Sequence, residues 1–163
     1  MQTAVLPPQS AVLRIHAGFA RLADTLQPLF ALAVRLYVAR VFFASGLVKL
    51  QSWDSTLALF ENEYHVPVLP PHLAAYMGAG AELFLPVLLA LGIGTRFSAI
   101  ALFVFNIVAV ISYPDLSEVG REQHFYWGTL LLITLVHGPG KLALDHWIAR
   151  RFGSYPISPT PII

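Results

Sequence analysis

Four long apolar segments constrain this chain of 163 residues more than any other feature. They cover residues 28–50, 72–92, 95–113 and 124–137, the last being the shortest. About 20 apolar residues in an α-helix cross the roughly 30 Å hydrocarbon layer of a bilayer. Only 12% of the residues are charged, about half the fraction found in soluble domains. The sequence therefore predicts an all-α membrane protein with a bundle of four transmembrane helices, and it excludes a soluble globule.

Amphipathic segments flank the four spans at both ends of the chain. Between residues 10 and 27, apolar side chains recur every three or four positions, and Arg14 and Arg21 lie on the opposite side. Residues 141–152 show the same division, and we predict that both segments are helices lying in the membrane interface. The predicted organisation is a cytoplasmic or interfacial segment over 1–27, a transmembrane domain over 28–140, and an interfacial helix with a proline-rich tail over 141–163.

Basic residues are distributed unequally between the two sides of the predicted bundle. Six flank the termini and the turn at Gly92, whereas two lie on the opposite side beside acidic loops. The six are Arg14, Arg21, Arg96, Lys141, Arg150 and Arg151, and the two are Lys49 and Arg121. Because basic residues accumulate on the cytoplasmic side, both termini are predicted to be cytoplasmic. These residues flank a lipid bilayer, so the sequence does not indicate nucleic-acid binding.

Polar side chains within the spans are the candidates for chemistry. Inserting an ionised residue at the centre of a membrane helix costs about 2.5–3.5 kcal/mol of free energy. We therefore expect Arg35, Arg40 and Glu82 to have a structural or functional role. Arg40 and Glu82 both lie about 15 Å from the end of their span on the acidic-loop side, and we expect them to form a pair. Asn106 falls close to the same depth. Arg35 points about 140° away from Arg40 and is expected to reach the cytoplasmic head groups.

Two interpretations of this polar core remain open. In the first, the charges are a structural clamp that determines which helices pack together. In the second, Arg35, Arg40, Glu82 and Asn106 line a pocket for a quinone head group, a proton or a small anion. The two interpretations differ in whether a ligand is bound, and the residue types alone fit both.

Two histidines form a second candidate site. His72 and His124 both begin spans on the acidic-loop side, so they can share a quinone or metal site, and they are the one pair at a depth suited to haem ligation. Histidines beside turns are also common without a ligand. Cysteine is absent from the sequence, which excludes thiolate chemistry by this chain itself. We find no catalytic motif and expect no metal, so redox chemistry would require a borrowed cofactor.

Several motifs in the spans resemble those of the DoxX family. Arg35, Gly46 and Lys49 in RLYVARVFFASGLVKL are similar to the opening signature of that family, and Glu82 in AELFLPVLLALGIGTR to its second motif. The segment from His137 to Asp145 resembles its closing GPG-x-x-x-x-D motif. A departure from the family pattern is the run Leu83-Phe84-Leu85-Pro86, where the family has glycine-rich positions. The resemblance implies a four-helix protein of the bacterial inner membrane, often associated with redox or stress-related complexes.

Three functions are compatible with these residues. The first is an accessory or anchoring subunit of a membrane redox system, in which Arg40, Glu82 and Asn106 admit a quinone and a partner protein carries the cofactor. The second is a small carrier of a solute or a proton, which would act as a homo-oligomer because four helices are few for a transporter. The third is a membrane scaffold without a ligand.

Overall fold

The computed structural model describes residues 11–153, and for residue 11 it describes the backbone alone. These residues form six α-helices and no strand. The helices are α1 (Ala11–Gln51), α2 (Trp53–Asn62), α3 (Pro71–Leu91), α4 (Thr95–Ser112), α5 (Glu118–His137) and α6 (Leu144–Phe152). The prediction of an all-α membrane protein is confirmed. Most of the proline-rich tail predicted after Phe152 lies outside the described residues.

Three of the helices in the described part of the chain are long and apolar enough to cross a membrane, namely α1, α3 and α4. The predicted fourth span falls in α5, which is 20 residues long but does not reach the same hydropathy. The cause is the polar sequence from Gly120 to His124 in its first two turns. The chain is therefore a multi-pass membrane protein, and the crossing by α5 remains a proposal.

The first helix is longer than the sequence predicts. Pro28 was expected to begin the first span after a separate interfacial helix, but it lies inside α1, which continues for 41 residues. At 1.5 Å per residue, α1 is about 60 Å long, twice the thickness of the hydrocarbon layer. The amphipathic segment and the first span are thus one helix.

Four helices, α1, α3, α4 and α5, share one apolar core. Its fully buried members include Val38, Phe42, Leu89, Leu102 and Leu131. Helices α1 and α3 approach each other closely at Gly46, where a Cβ atom would lie 2.9 Å from Leu83 Cγ and 3.0 Å from Glu82 Cβ. Glycine at this position therefore allows α1 to bring its polar side chains against α3.

The segment between α1 and α3, predicted to be a loop, contains the helix α2. Its Phe60 side chain packs against Ala74 and Ala75 of α3, and its Thr56 hydroxyl donates a hydrogen bond of 2.9 Å to the carbonyl of Lys49. Apolar burial on one face explains why this segment, half of whose helical residues are polar, is helical. Helix α2 covers the end of α1 at which Lys49 lies, and we call this end of the bundle the α2 side.

Candidate functional site

The first polar site joins α1 to α3. Lys49 Nζ lies 2.6 Å from Glu82 Oε2, and the Ser45 hydroxyl donates a 3.1 Å hydrogen bond to Glu82 Oε1. Lys49 Nζ also donates to Ser45 Oγ at 3.1 Å. Glu82 is only 5% exposed, so its charge depends on these two partners rather than on water. The three residues form a closed cluster, which we call the Glu82 cluster.

The predicted pair of Arg40 and Glu82 is wrong, because Arg40 is exposed. The depth estimate assumed that α1 and α3 end at the same level on the α2 side. In fact Gly46 lies against Glu82. Gly46 is five residues from the end of α1, whereas Glu82 is eleven residues from the start of α3. Lys49 lies nine residues beyond Arg40, about 180° around the helix, and thus on the face that contacts α3.

Arg35 is buried on the side of the termini and does not reach toward head groups as predicted. It is 1% exposed, and its guanidinium donates to the Leu142 carbonyl at 2.8 Å and more weakly to the Leu89 carbonyl at 3.4 Å. Its Nε has no hydrogen-bond partner among the described residues. Arg35 thereby connects α1 to the end of α3 and to the segment before α6.

Asp145 connects the closing motif to the turn between α3 and α4. Its carboxylate accepts hydrogen bonds from the backbone N–H groups of Gly94 (2.8 Å) and Thr95 (2.7 Å) and from the Thr95 hydroxyl (2.8 Å). The Asp145 N–H donates to the Gly92 carbonyl at 2.8 Å. Asp145 is therefore the N-terminal cap of α4, supplied from another part of the chain. Sequence reasoning quoted Asp145 only as part of a motif and missed this role.

Replacing this cap is expected to destabilise the fold. Asp145→Ala removes three hydrogen bonds to a carboxylate at the start of α4, at a cost of about 2 kcal/mol. Unfolding in detergent, followed by circular dichroism, measures the change. The control is Asp24→Ala, at an exposed position of α1, which should change stability by less than about 0.5 kcal/mol. Equal effects of the two variants would mean that Asp145 is not a cap.

The third polar site lies between α4 and α5. Asn106 Nδ2 donates to the His124 carbonyl at 3.0 Å, which places Asn106 Oδ1 2.8 Å from His124 Nδ1. A carbonyl oxygen can only accept, so Nδ1 carries the proton and Nε2 of the neutral imidazole is left as an acceptor. The ring of His124 also packs edge-on against Trp127, with 5.0 Å between centroids. Asn106 thus determines both the orientation and the tautomer of His124.

A groove of about 360 Å³ runs beside this pair along α4 and α5. Its polar lining consists of Arg121, His124, Asn106 and Thr129, and apolar residues such as Val110, Phe103 and Leu132 form most of the rest. From Arg121 to Leu132 the groove spans about 16 Å along α5. Arg121 and His124 lie toward the α2 side, where Val110 and Ile111 also line the groove, and Phe103 and Leu132 line its deeper end. A groove with a few polar groups among apolar side chains suits an amphiphile with a small polar head.

The other predicted site residues are not brought together. His72 Nε2 lies 2.9 Å from Glu61 Oε1 on the exposed α2 side, so His72 and His124 have different partners. Asn106 likewise pairs with His124 rather than with Glu82. The described residues contain no group of three or more histidine, aspartate or glutamate side chains suited to a metal ion. The single predicted polar core is therefore three separate sites.

A second pocket, of about 310 Å³, opens on the α2 side near Tyr64 and His65. The Tyr64 ring contacts those of Phe60 and Tyr113, with centroids 4.9 and 5.0 Å away. Burial raises the pKa of the Tyr64 phenol above its ordinary value, and Tyr113 and the Glu82 carboxylate raise it further. Tyr64 is consequently a neutral hydroxyl at neutral pH.

The chain is similar to one protein family and to two proteins of known sequence. A model of the DoxX family matches residues 30–114. An uncharacterised protein of Haemophilus influenzae is 32% identical over 130 residues, covering 74% of this chain and 84% of that protein. The Bacillus subtilis protein named "Putative oxidoreductase CatD" is 30% identical over 125 residues, covering 73% and 87%. No solved structure matches.

Proposed function

The chain belongs to the DoxX family, and on that premise we propose that it is an accessory membrane subunit of a redox system that binds a quinone. The relative named an oxidoreductase supports a redox role. The absence of cysteine from this sequence leaves the chain without thiol chemistry of its own, so a partner protein would carry the electron-transferring cofactor.

The proposed topology has four spans and both termini in the cytoplasm of a bacterial-type inner membrane. Helix α5 would be the fourth span, since Leu130 and Leu131 pack into the core shared with α1 and α4. The excess of basic residues on the side of the termini supports the orientation. Each acidic loop would then face the outside, together with α2.

The observation that carries the quinone proposal is the groove between α4 and α5. Its volume of about 360 Å³ suits a small ring with part of an apolar tail, and its open side gives access from lipid. Within it, the Asn106 and His124 side chains are already fixed by each other at 2.8 Å. The Glu82 cluster, in contrast, does not line either of the two pockets described above.

His124 and Asn106 would hold the head group. Because Asn106 binds His124 Nδ1, the acceptor Nε2 suits a ligand hydroxyl, as in the reduced form of a quinone, and it can receive the proton that such a hydroxyl releases. Phe103 and Leu132 would exclude water around an apolar tail. A bound quinone supplies the ability to accept and release two electrons, which none of the protein side chains in the groove provides.

Quinone binding by purified protein tests the proposal. His124→Phe is expected to weaken binding of a short-chain quinol about tenfold, because it removes one hydrogen bond in a largely apolar site. Quenching of tryptophan fluorescence measures binding, and lipid extracts of the purified protein are assayed for quinone. The control is His72→Phe, which should bind as tightly as the unmodified protein. Absence of both binding and co-purified quinone would refute the proposal.

A second candidate function is a carrier of protons or of a small solute, acting as an oligomer. The buried Glu82 cluster favours it, because a carboxylate within a span can take up and release a proton. Proton uptake by liposomes containing the protein distinguishes the two functions, since a quinone-binding subunit does not have to move protons across the membrane. If neither binding nor flux is found, a scaffold without a ligand is the remaining function.

A further inference from the structure

The part of α1 nearest the N-terminus carries an exposed apolar stripe. It consists of Val12, Ile15, Phe19, Leu22 and Leu26, all of which are at least half exposed, up to 73% for Val12 and Ile15. Large apolar side chains at this exposure are stable in an aqueous phase only when another surface covers them. We therefore expect another molecular surface to cover the stripe.

The spacing of these residues is that of a coiled coil. The intervals from Val12 to Leu26 are three, four, three and four residues, the a and d positions of two consecutive heptads, and Leu29 extends the pattern. An interfacial helix needs only a broad apolar side, whereas this alternation matches the narrow seam between two helices. The pattern thus favours a second helix as the occupant.

The stripe also points away from the bundle. Taking 100° per residue, the buried residues between Val34 and Gly46 lie about 160° around α1 from the centre of the stripe. A second helix can therefore approach the stripe without displacing α3 or α4, and the contact of α5 with this side of α1, between the Tyr126 and Tyr37 rings, lies eleven residues beyond Leu26. Since α1 continues through Pro28 without ending, the stripe follows the span instead of turning into the plane of the membrane surface.

The residues beside the stripe permit an identical helix to pack in parallel. Positions e and g are His16, Gly18, Ala23 and Thr25, which place no pair of like fixed charges across the seam. Arg14, Arg21 and Asp24 lie at the outer positions c and f. The membrane holds every copy in the same orientation and at the same depth, which imposes both the parallel arrangement and the register.

We propose that this stripe is the interface of a homodimer, in which two copies of α1 form a short parallel coiled coil between Val12 and Leu26. Two heptads are few for an isolated coiled coil, but confinement of both helices to one membrane raises their effective concentration. The interface ends before Arg40, which lies on the same side of α1, because two facing arginines would repel each other. This dimer does not depend on the proposed quinone site.

Cysteine cross-linking tests the dimer, because the natural sequence contains no cysteine. Leu22→Cys places one thiol at a d position, and the control Leu13→Cys places one at position b, at the same 57% exposure. In liposomes at a high ratio of lipid to protein, a short bis-maleimide should convert Leu22→Cys to a species of about twice 17.9 kDa at least tenfold faster than Leu13→Cys.

Each other outcome overturns the proposal. Equal cross-linking of the two variants would indicate random collision. Absence of cross-linking, with a fluorophore at Leu22→Cys quenched by spin-labelled lipid, would mean that the membrane surface covers the stripe. Cross-linking of Leu22→Cys only to a different protein in native membranes would identify a hetero-partner. Circular dichroism of both variants verifies that α1 remains helical.

Discussion

Lys49→Met is expected to lower the free energy of unfolding by about 3–5 kcal/mol, because it leaves the buried carboxylate of Glu82 without a cation. Between residues 11 and 153 Glu82 has no second basic partner, and the Ser45 hydroxyl, at 3.1 Å, contributes only one neutral hydrogen bond. Glu82→Leu alone should be costly for the same reason, since it leaves the largely buried Lys49 ammonium unpaired. Both single variants therefore measure the penalty for an isolated charge.

The double variant Lys49→Met/Glu82→Leu should recover most of this loss, because replacing both members of a buried ion pair by apolar residues is often close to neutral. Reversible unfolding in mixed micelles measures all three variants. The control is Arg40→Met, which removes an exposed charge from the same helix and should not destabilise the protein. Strict additivity of the two single effects would contradict the ion pair.

Gly92→Ala is expected to destabilise the protein by about 2–4 kcal/mol, because a Cβ atom there meets both a strained backbone and occupied space. Gly92 ends α3 with φ +72°. A Cβ atom would overlap the Arg35 guanidinium and lie 2.8 Å from Ala143 Cα. The change thus displaces the arginine that joins α1 to the segment before α6.

Gly94→Ala is the matched control, because Gly94 also has a left-handed backbone, with φ +54°. The nearest atom to a Cβ there is Phe97 Cβ at 4.0 Å, so only the backbone strain of about 1 kcal/mol remains. Thermal unfolding in detergent compares the two variants. A Gly94→Ala effect as large as that of Gly92→Ala would show that the contacts of Arg35 do not limit stability.

Much of the helical architecture is predictable from the sequence, because apolar length and glycine positions determine where membrane helices begin and end. The bounds of α3 and α4 follow from the apolar runs and from the turn at Gly92. Helix α2 was not predicted, because its stability depends on Phe60 packing against α3, and its ten residues, of which half are polar, do not form a long apolar run. At Pro28 the sequence predicted a boundary between two helices, but α1 continues through it, since one missing N–H does not end a long helix.

The polar contacts were less predictable, because the depth of a residue along a helix does not determine the direction in which its side chain points. Rotation by 100° per residue indicates that Arg40 and Lys49 face opposite sides of α1, but it does not indicate which of the two faces α3. The pairing of Asn106 with His124 depends on the register between α4 and α5, which no local pattern contains. The capping role of Asp145 likewise requires the closing segment to return to the start of α4.

Photolabelling with an azido-quinone tests the central claim, that the groove between α4 and α5 binds a quinone. The protein in nanodiscs is illuminated with the probe, digested, and mapped by mass spectrometry, with and without excess unlabelled quinone. We expect labels within residues 103–111 and 121–132, and we expect the competitor to remove them. Labels confined to α1 and α3, or spread over all lipid-facing residues and unaffected by competitor, would contradict it.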